Sequence, residues 1–345
     1  MKVLFIGGTG LISTAAARRL VEQGEQVFFY NRGHGELPAG VTHLVGDRRD
    51  FQTFETQMAK AGAFDVVIDM CLYEPPEAES VIRAFRGRIG QYIFCSTVDV
   101  YTKPSQRLPI HESDACQPAA SYPYAFNKAR CEEQLMAAHD RGDFAVTLIR
   151  PAATYGDQGQ LVHPLHNWSV NATYFLDRLR KSKSVIVPGD GTTIWVAAHR
   201  DDVGPTFAAA AGNARTFGRA YNVTGEEWLT WNQYHRYLAD ALGVATLEII
   251  HIPTAVLRQA LPRRMWLCVE NFQHNALYDN TAARTDLGYC YTIPFAEGAR
   301  RVTQWLTAHN QIEDYANFPF YDRLIEAWQR AGKEMAQALA ADDLP

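Results

Sequence analysis

The chain has 345 residues, 47% hydrophobic and 21% charged, the balance of a globular protein with a sizeable core. A net charge of −5 and an isoelectric point near 6.1 offer no field to collect phosphate backbones, which disfavours non-specific nucleic-acid binding. Six cysteines (Cys71, Cys95, Cys116, Cys131, Cys268, Cys290) without a CxxC pair read as small hydrophobes in a reducing compartment.

The opening run Met1-Lys-Val-Leu-Phe-Ile6 is too short for a signal peptide, and no stretch reaches the length of a membrane span. A cytoplasmic location without membrane contact is therefore expected. Val3 to Ile6 reads as a strand, Leu11 to Gln23 as a helix stopped by Gly24, and Val27 to Tyr30 as the next strand. His43 to Val45, Asp65 to Met70, Gln91 to Cys95 and Ala145 to Ile149 continue the strands. Helical patterns lie between them near Phe51–Ala61, Glu77–Arg86 and Ala125–Arg141. Such alternation predicts an α/β fold with a doubly wound parallel sheet covered on both faces.

Past Pro151 the pattern loosens. Val185 to Gly191 predicts a strand and turn, Ala220 to Thr224 a strand, Trp231 to Leu242 an amphipathic helix, Leu247 to Ile252 a strand, and Tyr321 to Leu339 a helical tail. The expected organisation is a dinucleotide-binding domain over residues 1–165, with returning segments near 190–225. A smaller interleaved substrate lobe over 226–320 and a tail over 321–345 complete it.

Gly7-Gly8-Thr9-Gly10-Leu11-Ile12-Ser13 follows the first strand and opens the first helix, the required context for a nucleotide-binding turn. Gly7, Thr9, Gly10, Leu11 and Ile12 are its candidate cofactor contacts; Ser13 stands where a third glycine is usual. At the end of the second strand, a carboxylate would hold an adenosine 2′-hydroxyl. Asn31 and Arg32 stand there instead, and a guanidinium suits a 2′-phosphate, so NADP is preferred over NAD. Asp47 is placed to accept from an adenine amino group; its alternative is to cap the helix that follows.

Tyr124 and Lys128 are four apart, on one face of the predicted helix. A fixed ammonium there favours the phenolate and would lower the tyrosine pKa. The segment Ser96-Thr-Val-Asp-Val-Tyr101 leaves the carboxyl end of a parallel strand, where open α/β sheets bind ligands.

With these pieces in order, the chain resembles the extended short-chain dehydrogenase/reductases, in their NAD(P)-dependent epimerase/dehydratase branch acting on sugars. Arg150-Pro-Ala-Ala-Thr-Tyr-Gly156, Gly189-Asp-Gly191, His199-Arg-Asp-Asp-Val203 and Tyr221-Asn-Val-Thr224 carry the resemblance further. It implies a Rossmann fold, Thr97 as the catalytic hydroxyl, Tyr124 as acid/base, Lys128 on the nicotinamide ribose, Pro151 among the cofactor contacts, and a homodimer. Asp99, two residues past Thr97, is either a second acid/base or a turn former.

Two departures bear on the substrate. Where nucleotide-sugar enzymes of the family often carry a diphosphate-gripping Arg, this chain has Trp195, and Asp69-Met-Cys-Leu72 replaces a His-Leu-Ala-Ala pattern. Trp195, Trp168, Trp266 and His166 form a candidate aromatic wall for an unphosphorylated sugar, with core packing the alternative for each. His163 and His166 lack a third ligand nearby, so no metal site is expected. The leading expectation is hydride transfer on a sugar-like small molecule. NADPH-dependent ketone reduction is the second. An RNA-binding protein on the same scaffold is the third, because Asn31-Arg32 and Tyr101-Thr-Lys-Pro resemble the chloroplast stem-loop binding branch.

Overall fold

The computed structural model describes residues 1–165 and 172–340. Its elements run β1 (Lys2–Ile6), α1 (Leu11–Glu22), β2 (Gln26–Asn31), β3 (Val41–Val45), α2 (Phe51–Lys60), β4 (Val66–Asp69), α3 (Pro75–Phe85), β5 (Gln91–Cys95), α4 (Pro123–Asp140) and β6 (Ala145–Pro151). Then follow β7 (Ala153–Tyr155), α5 (Tyr174–Arg180), β8 (Val185–Pro188), β9 (Ile194–Trp195), β10 (Ala197–His199), α6 (Arg200–Ala210), β11 (Arg219–Val223) and, further on, a tail helix Phe320–Leu339. Seven strands form one sheet in the order β11-β6-β5-β4-β1-β2-β3, and every neighbouring pair is parallel. The expected doubly wound sheet is what forms.

Both faces are dry, which is why β1, β4 and β5 read as unbroken apolar runs. Val3, Phe5, Val27, Phe29 and Ile68 pack on one face with α1 and α6, and Leu4, Ile6, Val67, Tyr92 and Phe94 on the other with α2, α3 and α4. Close approach of α6 to α1 needs Gly204: a Cβ there would stand 2.5 Å from the Ala15 Cβ. Helix α3 starts two residues before its expected first residue. Pro75 and Pro76 occupy its first turn, and Glu74 with Glu77 makes a capping box.

The chain divides into two compact units whose boundaries differ from the sequence expectation. The first comprises residues 1–156, 195–228 and 274–295; the second comprises 157–194, 229–273 and 296–345. Residues 274–295 were expected in the smaller lobe, yet hydrogen bonds tie them to the sheet unit. Asn280 Oδ1 accepts from Thr224 N at 3.1 Å, Tyr289 donates to the Thr224 carbonyl at 2.6 Å, and Asp202 accepts from Thr292 N and Ile293 N, each at 3.0 Å. In the second unit β8 pairs in parallel with the strand Ile249–Ile252, and the tail contributes buried Tyr321, whose hydroxyl accepts from Ile186 N at 2.6 Å. Among the described residues no helix is long and apolar enough to cross a membrane.

Candidate active site

The first part of the site is made by backbone. Gly7 and Gly8 adopt φ of 97° and 109°, and a Cβ on Gly8 would stand 2.6 Å from the Phe29 ring. Gly10 is the N-cap of α1, with no side-chain cap and no acidic residue in the first turn. The α1 N–H groups and dipole are thus left for an anion, and the site fits a dinucleotide pyrophosphate. Ser13 is buried and its hydroxyl donates to the Gly10 carbonyl at 3.0 Å, so it serves where a third glycine was missed. Thr9 is exposed; Leu11 and Ile12 are half-buried.

Asn31 is occupied differently from the sequence expectation. Its amide donates to the Gly7 carbonyl at 3.2 Å, while its oxygen accepts from Gly33 N at 2.8 Å and lies 3.0 Å from His43 Nε2. It locks the loop after β2 onto the glycine turn. Arg32, beside it, is exposed. Asp47 accepts from Arg49 N at 2.9 Å in a turn of its own, and the cap of α2 is Asp50, accepting from Thr53 N at 3.1 Å. The capping alternative for Asp47 therefore falls to its neighbour.

The second part is made by side chains at the carboxyl end of β5 and the start of α4. Helix α4 begins at Pro123, so Tyr124 and Lys128 share its first turns and one face, as their spacing predicts. Lys128 is almost wholly buried and donates to the Cys95 carbonyl at 2.8 Å. Burial lowers its pKa below the ordinary lysine value, with the neighbouring Cys95 and Asp69 acting the other way. Its Nζ lies 4.6 Å from the Phe94 ring centroid, 4.8 Å from Tyr73 and 5.9 Å from Tyr124.

Tyr124 is hydrogen-bonded with Thr97, and its phenol is held well above the ordinary value, first by burial and then by the carboxylate of Asp99. The direction is opposite to the downward shift expected from Lys128: desolvation and the nearby Asp99 outweigh the lowering hydrogen bond of Thr97. Thr97 Oγ1 also accepts from Asp99 N at 3.2 Å, capping a short 3-10 turn.

Asp99 is buried in a set of partners that sequence reasoning missed. Tyr122 donates to its Oδ2 at 2.5 Å and Lys103 Nζ lies 3.4 Å from its Oδ1. Burial lowers the Lys103 pKa, against the pull of Asp99. Lys103 is only four residues from Asp99, whereas Tyr122 comes from 23 residues away at the start of α4.

The remaining family-like segments form scaffolding. Arg150 makes a double ion pair with Glu132 at 2.6 and 2.9 Å and donates to Tyr101 Oη at 2.9 Å; Tyr101 donates to Asn222 Oδ1 at 2.6 Å. Pro151, next in β6, is buried and pairs in register with Val223. Trp195 is 6% exposed and meets Phe295 edge-on at 6.4 Å, the packing alternative of its two readings. His166 and Trp168 lie outside the described residues. Among the described residues no cluster of three or more His, Cys, Asp or Glu could hold a metal.

Residues 77–224 match the family described as NAD dependent epimerase/dehydratase. The chain is 30% identical over 265 residues, 72% of its length, to the chloroplast stem-loop binding protein of 41 kDa b of Arabidopsis thaliana, and spans 65% of that protein. It is 28% identical to the 2-alkyl-3-oxoalkanoate reductase of Stenotrophomonas maltophilia, covering 88% of this chain and 98% of that one. Among solved structures, an epimerase of Methanothermobacter thermautotrophicus superposes with a TM-score of 0.72 over 90% of this chain and 93% of its own, at 15% identity. UDP-glucose-4-epimerase of Stenotrophomonas maltophila, with bound NAD and formylated UDP-arabinopyranose, gives 0.70 over 91% and 100%, at 18% identity. At such identities the structures establish the fold alone. Over residues 77–224 the chain matches the NAD dependent epimerase/dehydratase family, and over about nine-tenths of its length it has the fold of the epimerase structures it resembles.

Proposed function

We propose that the protein is an NAD(P)-dependent oxidoreductase of the epimerase/dehydratase type, working at a hydroxyl or ketone carbon of a sugar-like small molecule. The observation that carries this reading is the meeting of Thr97, Tyr124 and Lys128 at the carboxyl end of β5, in the same unit as the glycine turn. A nicotinamide bound there supplies or accepts the hydride. Tyr124 exchanges a proton with the substrate oxygen, Thr97 bonds the same oxygen, and Lys128 holds the nicotinamide ribose. Pro151, Gly7, Thr9, Gly10, Leu11 and Ile12 line the cofactor.

Within this reading, reduction of a ketone with NADPH has specific support. A phenol held protonated at neutral pH suits donation to a ketone oxygen as its carbon receives hydride. Exposed Arg32, with no carboxylate at the end of β2, suits a 2′-phosphate. The relative covered over 98% of its own length is a reductase by name. The stem-loop binding relative raises RNA as a ligand, but the acidic net charge and the burial of Lys128 oppose it. Salt-sensitive RNA retention at physiological ionic strength would favour it instead.

The test follows nicotinamide absorbance with sugars, nucleotide sugars and ketones, titrating NADP+ and NAD+ side by side. Tyr124→Phe is expected to lower turnover about 100-fold or more while leaving dinucleotide affinity within about twofold. Unchanged turnover in that variant removes the mechanism. Arg32→Ala is expected to narrow a preference for NADP+.

A further inference from the structure

The loop between β4 and α3 carries an aromatic side chain that neither the glycine turn nor the hydroxyl segment accounts for. Tyr73 is 41% exposed, yet its backbone is tied down. Its N–H donates to Glu77 Oε2 at 2.7 Å, and the same oxygen accepts from Glu74 N at 3.0 Å. The Glu74 carboxylate accepts from Asn127 Nδ2 at 2.7 Å, and Asn127 immediately precedes Lys128 on α4. The N-cap of one helix and the first turns of another therefore fix the loop from two sides. The ring so presented stands 4.8 Å from Lys128 Nζ and 6.4 Å, centroid to centroid, from the Tyr124 ring.

The other walls around this ammonium come from the sheet itself: the Phe94 ring at 4.6 Å and the Cys95 carbonyl at 2.8 Å. Lys128 is 2% exposed while the ring over it is 41% exposed, so Tyr73 stands as cover on the solvent side. An aromatic face suits this position. It attracts a desolvated cation through its quadrupole without occupying one of the amine's hydrogen-bond directions. Charge kept from water also acts more strongly on what lies beside it.

We propose that Tyr73 is a positioning residue acting through Lys128. Its ring is the water-excluding wall that keeps the ammonium beside Tyr124 and available to the cofactor ribose. The ring carries this role, not the hydroxyl. The inference rests on the nicotinamide reading above for its functional consequence, and on geometry alone for the wall.

The experiment uses full-length protein labelled with 13C-lysine, the Lys128 ε-methylene being assigned by its disappearance in Lys128→Met. In the natural protein and in Tyr73→Phe the aromatic faces are expected to hold that resonance upfield of the other lysines. In Tyr73→Ala it is expected to move toward them. NADP+ affinity, titrated on the same samples, is expected to fall about tenfold in Tyr73→Ala and to stay within about twofold in Tyr73→Phe. An unmoved Lys128 resonance in Tyr73→Ala overturns the proposal, as does equal loss of affinity in both variants. Failure of the natural protein to bind any dinucleotide sinks the nicotinamide reading instead, with the resonance still deciding the wall.

Discussion

Two buried cations above the parallel sheet, Arg48 and Lys128, are held in opposite ways. At the carboxyl end of β4, Arg48 makes two hydrogen bonds to Asp69, at 2.7 and 2.9 Å. Tyr92 donates to the same carboxylate at 2.6 Å, and Glu77 lies 3.9 Å from the guanidinium. Burial acts against the Arg48 charge, but these anions override it and its pKa is raised. Beside Tyr124, Lys128 has a carbonyl and ring faces within reach but, among the described residues, no ion-paired carboxylate, and burial lowers its pKa. The first arrangement serves stability. The second holds a charge where folding alone would not place one, as functional sites do.

The contrast predicts opposite signs for two substitutions of similar shape. Arg48→Met leaves Asp69 buried without its cation and should destabilise the fold by about 3–5 kcal/mol, read by denaturant melting. A loss near zero would mean that Asp69 is compensated elsewhere, and the comparison would break at its stronger end.

Lys128→Met removes an ammonium that burial disfavours, so the fold should gain about 1 kcal/mol at neutral pH although the ribose contact proposed for it is lost. The sign follows from linkage. Below its lowered folded pKa the folded protein bears the full cost of the buried charge. As pH rises from that value toward the ordinary lysine range, the unfolded chain binds more protons and the natural protein regains stability. The advantage of Lys128→Met should therefore be largest near neutrality and shrink under alkaline conditions. A variant less stable than the natural protein at every pH would show that the ring faces and carbonyl already compensate the charge.

How much of this was legible in the sequence divides along the same line. The glycine turn, the strands and the Tyr124/Lys128 spacing are local: each follows from neighbouring residues whose conformation or periodicity is fixed within one turn or strand. Asn31 was legible as a polar residue in the right place, but not as the lock between Gly7, Gly33 and His43, which needs a fold to bring three segments together. Tyr73 and Tyr122 gave no signal, since their roles arise from contacts across loops of irregular path, and Lys103, four residues past Asp99, follows a short 3-10 turn and lies in no regular helix that would make the spacing readable. The direction of the Tyr124 shift was misread for the same reason. Spacing reports the neighbouring ammonium but is silent on burial and on the carboxylate of Asp99. Residues 274–295 were misplaced because a returning segment carries no pattern that names its partner, only side chains such as Asn280 and Tyr289 that find Thr224 once folded.

A structure of the protein with NADP+ bound is the most direct test. The prediction is a pyrophosphate over the glycine turn, a nicotinamide whose reactive carbon faces the Tyr124 hydroxyl, and Lys128 on its ribose. A dinucleotide bound elsewhere, or a nicotinamide ring lying out of reach of Tyr124, would contradict it.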